Sequence, residues 1–473
     1  MKKAFMGVRL KRLREERQLT QQALAHAIGI SLSYLNQMEN NQRPLTLAVL
    51  LKLNASFGID LQLFSEDDEA RLLADVREIF SLELTGEIVS SAEMRELASN
   101  MPALARAVIS LNRKHRLAAE QAAALAARLG EDRQAEMALL PSTPYEEVRD
   151  FFYARHNYFP ELDEAAEHLA EELAPSETLS WPQLSDYFRR NFSIKVVVDD
   201  RPGATYRRFD LRHSVLYLSR TLTSGQKAFQ LGTQIAMLAF DRELTTLVDA
   251  ARFSNSDTRG LARIGLASYF AGALLMPYRK FLASAQALRY DIELLGNQFD
   301  VGFETVCHRL STLQRPSSRG VPFFFIRVDR AGNISKRQSA TDFHFSRIGG
   351  TCPLWNVYEA FAYPGRIMTQ LARMPDERTY LWIARTVSHK SGGYDSLSKT
   401  FAVALGCDVR HAAALTYSRG LNVLDPTSAT PIGIGCRVCE RTECPQRAFP
   451  PLDRRLMIDE TQSLFAPYAT SVR

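Results

Sequence analysis

The stretch "LTQQALAHAIGISLSYLNQMENNQRP", Leu19 to Pro44, reads as two short helices with a tight turn between them. Thr20 carries the hydroxyl of an N-cap, an acceptor for the free amides of a first helical turn. Ala23, Leu24, Ala27 and Ile28 follow at i, i+1, i+4, i+5 spacing and supply an inner face. Gly29 is suited to the left-handed conformation that ends a helix. Ser31 opens the second helix, Leu35 and Met38 face inward, and Asn40, Asn41 and Pro44 stop it. Two helices joined by about three residues with Gly among them make a helix-turn-helix, whose second helix enters the major groove of DNA.

Charge supports that reading. Residues 1–45 hold Lys2, Lys3, Arg9, Lys11, Arg12, Arg14, Arg17 and Arg43 against Glu15, Glu16 and Glu39, a surplus equal to the +5 of the whole 473-residue chain. A local basic patch suits a polyanion. Leu32, Ser33, Asn36 and Gln37 point outward from the second helix and are the candidate base contacts. Gln37 can pair bidentately with adenine, Ser33 can bond several bases, and Leu32 can meet a thymine methyl. Gln21, Asn40, Asn41 and Arg43 lie at helix ends, where they would hold phosphates and set register. One such unit reads few base pairs, so a homodimer on pseudo-palindromic double-stranded DNA is expected, with half-sites about 34 Å apart or a multiple of that. The elements T-Q-x-x-L-A and G-I-S-x-S-Y-L-x-x-x-E-N, within residues 7–64, resemble the repressor-type helix-turn-helix family.

The rest of the chain has ordinary globular composition, 46% hydrophobic and 23% charged. No run approaches the ~18–20 apolar residues of a bilayer span. Arg9, Lys11, Arg12 and Arg14 occupy the place of a signal peptide's apolar core. The expectation is a cytoplasmic protein without membrane attachment, in which cysteines serve as metal ligands or reactive thiols. Residues 66–140 read as a helical linker or dimerisation arm, with Leu104, Val108, Leu111 and His115 near helical spacing, and Pro141 and Pro144 mark a linker.

Further on, "IKVVVDD", "ATYRRFDL" and "SVLYLS" read as three short strands, followed by the helices "GQKAFQLGTQIAMLAF" and "GLASYFAGALLMP". This order resembles the zinc-peptidase-like domain of phage-repressor-processing proteins, whose F-x-x-A-H-E-x-x-H helix and later Glu hold zinc. Thr233, Gln234 and Met237 stand where His, Glu and His would be, and Ile264 where the Glu would be. Zinc needs nitrogen, sulfur or carboxylate donors, so the scaffold is expected without its catalysis, and the chain is not expected to be an enzyme. The slot between "TQIAM" and "ASYFAGALL" either suits a short acyl tail or packs shut.

In the C-terminal third, "VPFFFIRVDRAGNISKRQS" reads as a hairpin turning at Gly332-Asn333, and "RTYLWIARTV" and "KTFAVALGCD" as further strands. Cys436, Cys439 and Cys444 put three soft donors within nine residues, the last followed by Pro445. Zinc and iron–sulfur centres take four ligands as a rule. Cys352, also followed by Pro, is the best fourth; Cys407 and His411 are reserves, and Cys307 is expected in the core. With the segments "IGGTCPLWNVYEAFAYPGRI" and "PIGIGCRVCERTECPQRAFPPLD", nearly the whole chain resembles the short-chain fatty acyl-CoA-sensing transcriptional regulators of bacteria.

That resemblance implies control of acetate or propionate metabolism genes, an acyl-CoA effector and a [4Fe-4S] cluster, with structural zinc as the other occupant of the cysteines. Coenzyme A brings phosphates that call for Arg and an adenine that stacks on aromatics. Tyr206, Arg207, Arg208, Arg347, Trp355 and Tyr358 are the candidate ligand contacts, although neighbours on a strand face opposite ways, so only one of Arg207 and Arg208 can serve. Two rival functions stay open: a metalloprotease cleaving a repressor, and a primary redox sensor with no acyl-CoA ligand. The expected fold is mainly α, with α+β middle and C-terminal domains behind an N-terminal repressor-like helix-turn-helix. Its expected bounds are 1–65 (DNA-binding), 66–140 (helical arm), 141–290 (peptidase-like) and 291–473 (acyl-CoA regulator).

Overall fold

Helices α1 (Gly7–Glu16), α2 (Gln21–Ala27), α3 (Leu32–Glu39) and α4 (Leu47–Phe57) open the chain. The computed structural model describes residues 7–40, 42–57, 66–80, 89–129, 144–175, 178–199, 205–341, 343, 351–390, 395, 398–436, 439, 441, 444–450, 456–458, 461–462 and 465. Both expected caps form: Thr20 Oγ1 accepts the Ala23 amide at 3.1 Å, and Ser31 Oγ that of Tyr34 at 3.2 Å. Gly29 has φ +59°, as its place after α2 requires. The inner face of α2 is Leu24, Ala25 and Ile28, and the expected Ala23 and Ala27 are exposed. At about 100° per residue, positions 24, 25 and 28 share one side and 23 and 27 fall beyond its edges. That face closes on Leu10, Leu35, Met38, Val49 and Leu53. From α4, Ser56 donates to the Ala27 carbonyl at 3.1 Å and Lys52 to that of Gly29 at 3.0 Å, so carbonyls left over at the end of α2 are satisfied.

Next come α5 (Glu66–Phe80), α6 (Ser91–Asn100) and α7 (Pro102–Leu129). A reciprocal capping box between Ser90 and Glu93 starts α6, and Leu72, Val76, Met94, Ala98 and Ala105 form a small core. Ala105 and Ile109 mark the inward side of α7. Leu104 and Leu111 lie on its outer side, 52% and 68% exposed. These helices belong to one compact unit, residues 1–139, 342–349 and 434–473; the second unit is 140–341 and 350–433.

The second unit starts with α8 (Pro144–Ala154), α9 (Pro160–Leu173) and α10 (Trp181–Phe192). Strands β1 (Lys195–Asp199), β2 (Arg207–Asp210) and β3 (Val215–Ser219) form a sheet in the order β1-β3-β2, with β1 parallel and β2 antiparallel to β3. Five helices follow: α11 (Ser224–Ala239), α12 (Asp241–Ala250), α13 (Ser256–Leu275), α14 (Tyr278–Ala287) and α15 (Ile292–Phe299), then α16 (Phe303–Leu310). After them come β4 (Phe324–Val328), β5 (Ile334–Ser339), the short α17 (Asn356–Glu359), β6 (Met368–Arg373), β7 (Thr379–Lys390), β8 (Ser398–Asp408) and β9 (Thr430–Pro431). The six strands run in the order β5-β4-β8-β7-β6-β9, antiparallel except for β6 with β9. Asp329 closes the β4–β5 turn by accepting the amides of Ala331 and Asn333, each at 2.9 Å, with Gly332 at φ +87°.

One face of the larger sheet, with Phe325, Leu381, Ile383, Val403 and Leu405, shares a core with Tyr278, Phe281, Leu295 and Leu310. The boundary expected at residue 290 therefore falls inside one core. A buried ionic group ties the same unit together. Asp163 on α9, 0% exposed, receives Arg309 of α16 at 2.6 Å, Arg315 at 3.2 Å and the Tyr269 hydroxyl of α13 at 2.7 Å, while Glu167 receives Arg315 at 2.9 Å. Among the described residues, no single helix is long and apolar enough to cross a membrane.

Candidate functional site

The outward face of α3 presents Leu32, Ser33 and Asn36, all exposed, with Gln37 half-buried behind them. Asn40 donates to the Asn36 side chain at 2.9 Å, and the amides of Gln42 and Arg43 fold back onto the Gln37 carbonyl at 2.8 and 3.1 Å. The Arg43 guanidinium lies 5.6 Å over the Tyr34 ring. Arg43 is thus held at the end of α3 but remains exposed. Asn41 lies outside the described residues. Gln21 has a task not expected of it: its amide donates to the Glu39 carboxylate at 2.7 Å, which also takes both arms of Arg14 at 2.7 and 3.1 Å. Glu39 is only 4% exposed, and its hydrogen bond to Arg14 raises the guanidinium's pKa. Arg14 and Glu39 neutralise each other inside the unit; the positive surplus belongs to other side chains.

In the peptidase-like part, Thr233 spends its hydroxyl on the Phe229 carbonyl one turn back, at 2.9 Å, and Ile264 is exposed. The acyl slot expected between α11 and α13 is filled by the chain's own side chains. Leu231, Ile235 and Ala236 of α11 and Phe270, Ala271 and Leu274 of α13 are fully buried, and a Cβ placed on Gly232 would lie 3.1 Å from that of Ala271. Small residues on both helices let the backbones approach, and this closeness leaves no slot at that level.

The candidate ligand contacts divide in two. On the edge strand β2, Arg208 is exposed and stacks 4.5 Å over Tyr217, beside the exposed Tyr206. Arg207 faces the other way, donates to the Gln230 carbonyl of α11 at 3.1 Å, and has its pKa lowered by burial. Trp355 is in the core: its indole donates to the Gly433 carbonyl at 3.0 Å and its ring packs 5.2 Å from Trp382. Tyr358 stacks on Trp355, with its hydroxyl paired to Thr351 and its pKa raised by burial. Arg347 lies outside the described residues.

Cys307 and Cys407 are core residues, and burial pushes both thiols up. Cys352 is buried, and its sulfur accepts the Gly433 amide at 3.3 Å. In the other unit, Cys436 and Cys439 are buried and Cys444 is half-buried. The Cys436 sulfur accepts the Ala448 amide at 3.4 Å, while burial raises the Cys439 thiol against the opposing pull of Arg441 and Arg447. Among the described residues, no three acidic, imidazole or thiol side chains converge to hold an ion. The chemistry of the loop nonetheless fits a soft metal centre: three thiols within nine residues, one already accepting an amide N–H, beside a buried Arg447 whose partners are carbonyl oxygens. Sequence reasoning missed Arg447, although it stands inside the same signature, three residues after Cys444.

Residues 312–468 match the family model described as short-chain fatty acyl coenzyme A regulator, C-terminal. Residues 189–311 match an IrrE N-terminal-like domain, and residues 10–64 a helix-turn-helix. The chain is 48% identical over 472 residues to the HTH-type transcriptional regulator PrpR of Mycobacterium tuberculosis, covering 99% of this chain and 96% of that one. It is 43% identical over 466 residues to the propionyl-CoA carboxylase regulator of Cereibacter sphaeroides, covering 98% of each. A solved Mycobacterium tuberculosis transcriptional regulator, 52% identical, superposes with a TM-score of 0.67 over 69% of this chain and 99% of that one. With relatives this similar along almost its entire length, the chain belongs to the short-chain fatty acyl coenzyme A regulators and is a transcriptional regulator of the helix-turn-helix type.

Proposed function

We propose that this protein, acting in the cytoplasm as a homodimer and without catalysis, binds operators of short-chain acyl-CoA metabolism genes and is controlled by an acyl-CoA. The observation that carries the reading is the joint presence, in one chain, of an exposed, correctly capped α3 and the acyl coenzyme A regulator signature. Base readout falls to Leu32, Ser33, Asn36 and Gln37, and phosphate contact to Arg43, Asn40 and Asn41. The exposed stripe of Leu104 and Leu111 on α7 supports a dimer seam. For the effector, the exposed Tyr206 and Arg208 on the rim of β2 remain suited to an adenine and its phosphates. Cys436, Cys439 and Cys444 are three side chains for a [4Fe-4S] or zinc centre, which when bound would supply a structural cross-link and, if iron–sulfur, redox sensitivity.

Control follows from linkage. An effector that prefers the DNA-competent arrangement shifts its population by the ratio of its two affinities, and a hundredfold change in operator affinity needs about 2.7 kcal/mol of such preference. DNase footprinting at fixed salt, with and without propionyl-CoA, tests the reading. A protected site whose midpoint moves with propionyl-CoA but not with free coenzyme A supports it. A midpoint indifferent to every acyl-CoA would sink it.

A further inference from the structure

Arg447 is 5% exposed, and its side chain is ringed by backbone. One guanidinium nitrogen donates to the carbonyl of Cys436 at 2.7 Å and reaches that of Phe449 at 3.5 Å; the other donates to the carbonyls of Cys439, at 3.1 Å, and Arg441. Its own amide donates to the Cys444 carbonyl at 3.2 Å, closing the turn that begins at Cys444-Pro445. The next amide, of Ala448, donates to the Cys436 sulfur. Residues 447 and 448 therefore touch all three cysteines of the loop.

The charge needs as much explanation as the geometry. Among the described residues, the guanidinium's hydrogen-bond partners are carbonyl oxygens, with no carboxylate. A buried cation without a counter-ion is costly, and carbonyl dipoles offset only part of that cost. Arginine suits the place because its planar fork can reach several carbonyls at once, which an ammonium cannot reproduce.

We propose that Arg447 is the positioning residue of the cysteine loop: its fork gathers the carbonyls of Cys436, Cys439 and Arg441 and so sets how the loop presents its thiols to a soft metal. This rests on the metal-binding reading of the cysteines. The test is anaerobic titration of the reduced, metal-free full chain with Co2+ alone, following the thiolate-to-cobalt absorption in the near ultraviolet. Its midpoint gives affinity, and its intensity per cobalt reports how many thiolates bind. For R447M, the expected result is a 10- to 100-fold loss of cobalt affinity together with a lower intensity per cobalt. R447K, which returns the charge without the fork, should recover only part of the loss. An R447M chain matching the wild type in both readouts overturns the inference while leaving the metal site standing. If R447M fails to fold, R447K carries the test, and wild-type affinity and intensity in R447K would overturn the role of the fork. A wild-type chain that gives no thiolate-to-cobalt band overturns the metal reading itself, and this inference with it.

Discussion

Glu39 shows how one carboxylate can set the reading head of a DNA-binding unit. Sitting at the end of α3, it fixes Arg14 of α1 and Gln21 of α2, so three helices meet at a single acid. Removing it leaves Arg14 largely buried with only the more distant Glu15, at 3.9 Å, as counter-charge, and Glu39→Ala should cost about 3 kcal/mol in chemical unfolding of the helix-turn-helix. Gln37→Ala is expected to act differently. It should cost about 1–3 kcal/mol on the operator, hardly change binding to random DNA and leave stability alone, as paired gel-shift titrations would show. Arg43→Ala should weaken both kinds of DNA nearly equally and reduce the salt slope by about one unit. At this scale the sequence was legible wherever the partner is close in the chain. Thr20 with Ala23 and Ser31 with Tyr34 are caps three residues long. Arg14 with Glu39 spans 25 residues, and no local pattern announces it.

At the level of elements, most strands and helices could be read because their periodicity is local, and β4, β5, β7 and β8 lie where alternation and turn residues placed them. Depth of packing could not be read. Thr233, Gln234 and Met237 carry the expectation of a lost zinc set, but the further step to an empty slot does not hold where α11 meets α13. How close α11 comes to α13 is decided by Gly232 against Ala271, two small residues whose encounter only the fold creates. Gly232→Leu should therefore wedge the helices apart and cost about 1–3 kcal/mol, measured by thermal unfolding; an unchanged melting temperature would mean that the slot is open after all. Gly406 plays a matching part in the larger sheet, where the Phe324 ring from β4 occupies the space that a Cβ on β8 would need.

For the molecule as a whole, pH offers a probe of the second unit. His308 on α16 packs by Phe325, and its pKa is held well below the ordinary imidazole value by burial first, then by the neighbouring positive charges of Lys336, Arg309 and Arg327. Glu304 is the nearby acid, paired with Arg327. The folded chain thus resists a proton that the unfolded chain accepts near pH 6.5. Stability should be insensitive to this group above about pH 7 and should fall as pH drops through 6.5, with a slope approaching about 1.4 kcal/mol per pH unit. His308→Gln should flatten that slope in urea titrations run at several pH values.

The ionic pair of Asp163 and Arg309 joins positions 146 residues apart, one on each side of the three-stranded sheet in the chain. The helical segment that precedes the IrrE-like match and holds Asp163, and the end of that match, which holds Arg309, are consequently not interchangeable parts. A chimera that grafts a foreign partner onto either side inherits a solitary charge in a dry interior, so any working hybrid has to import both ends of the pair or neither.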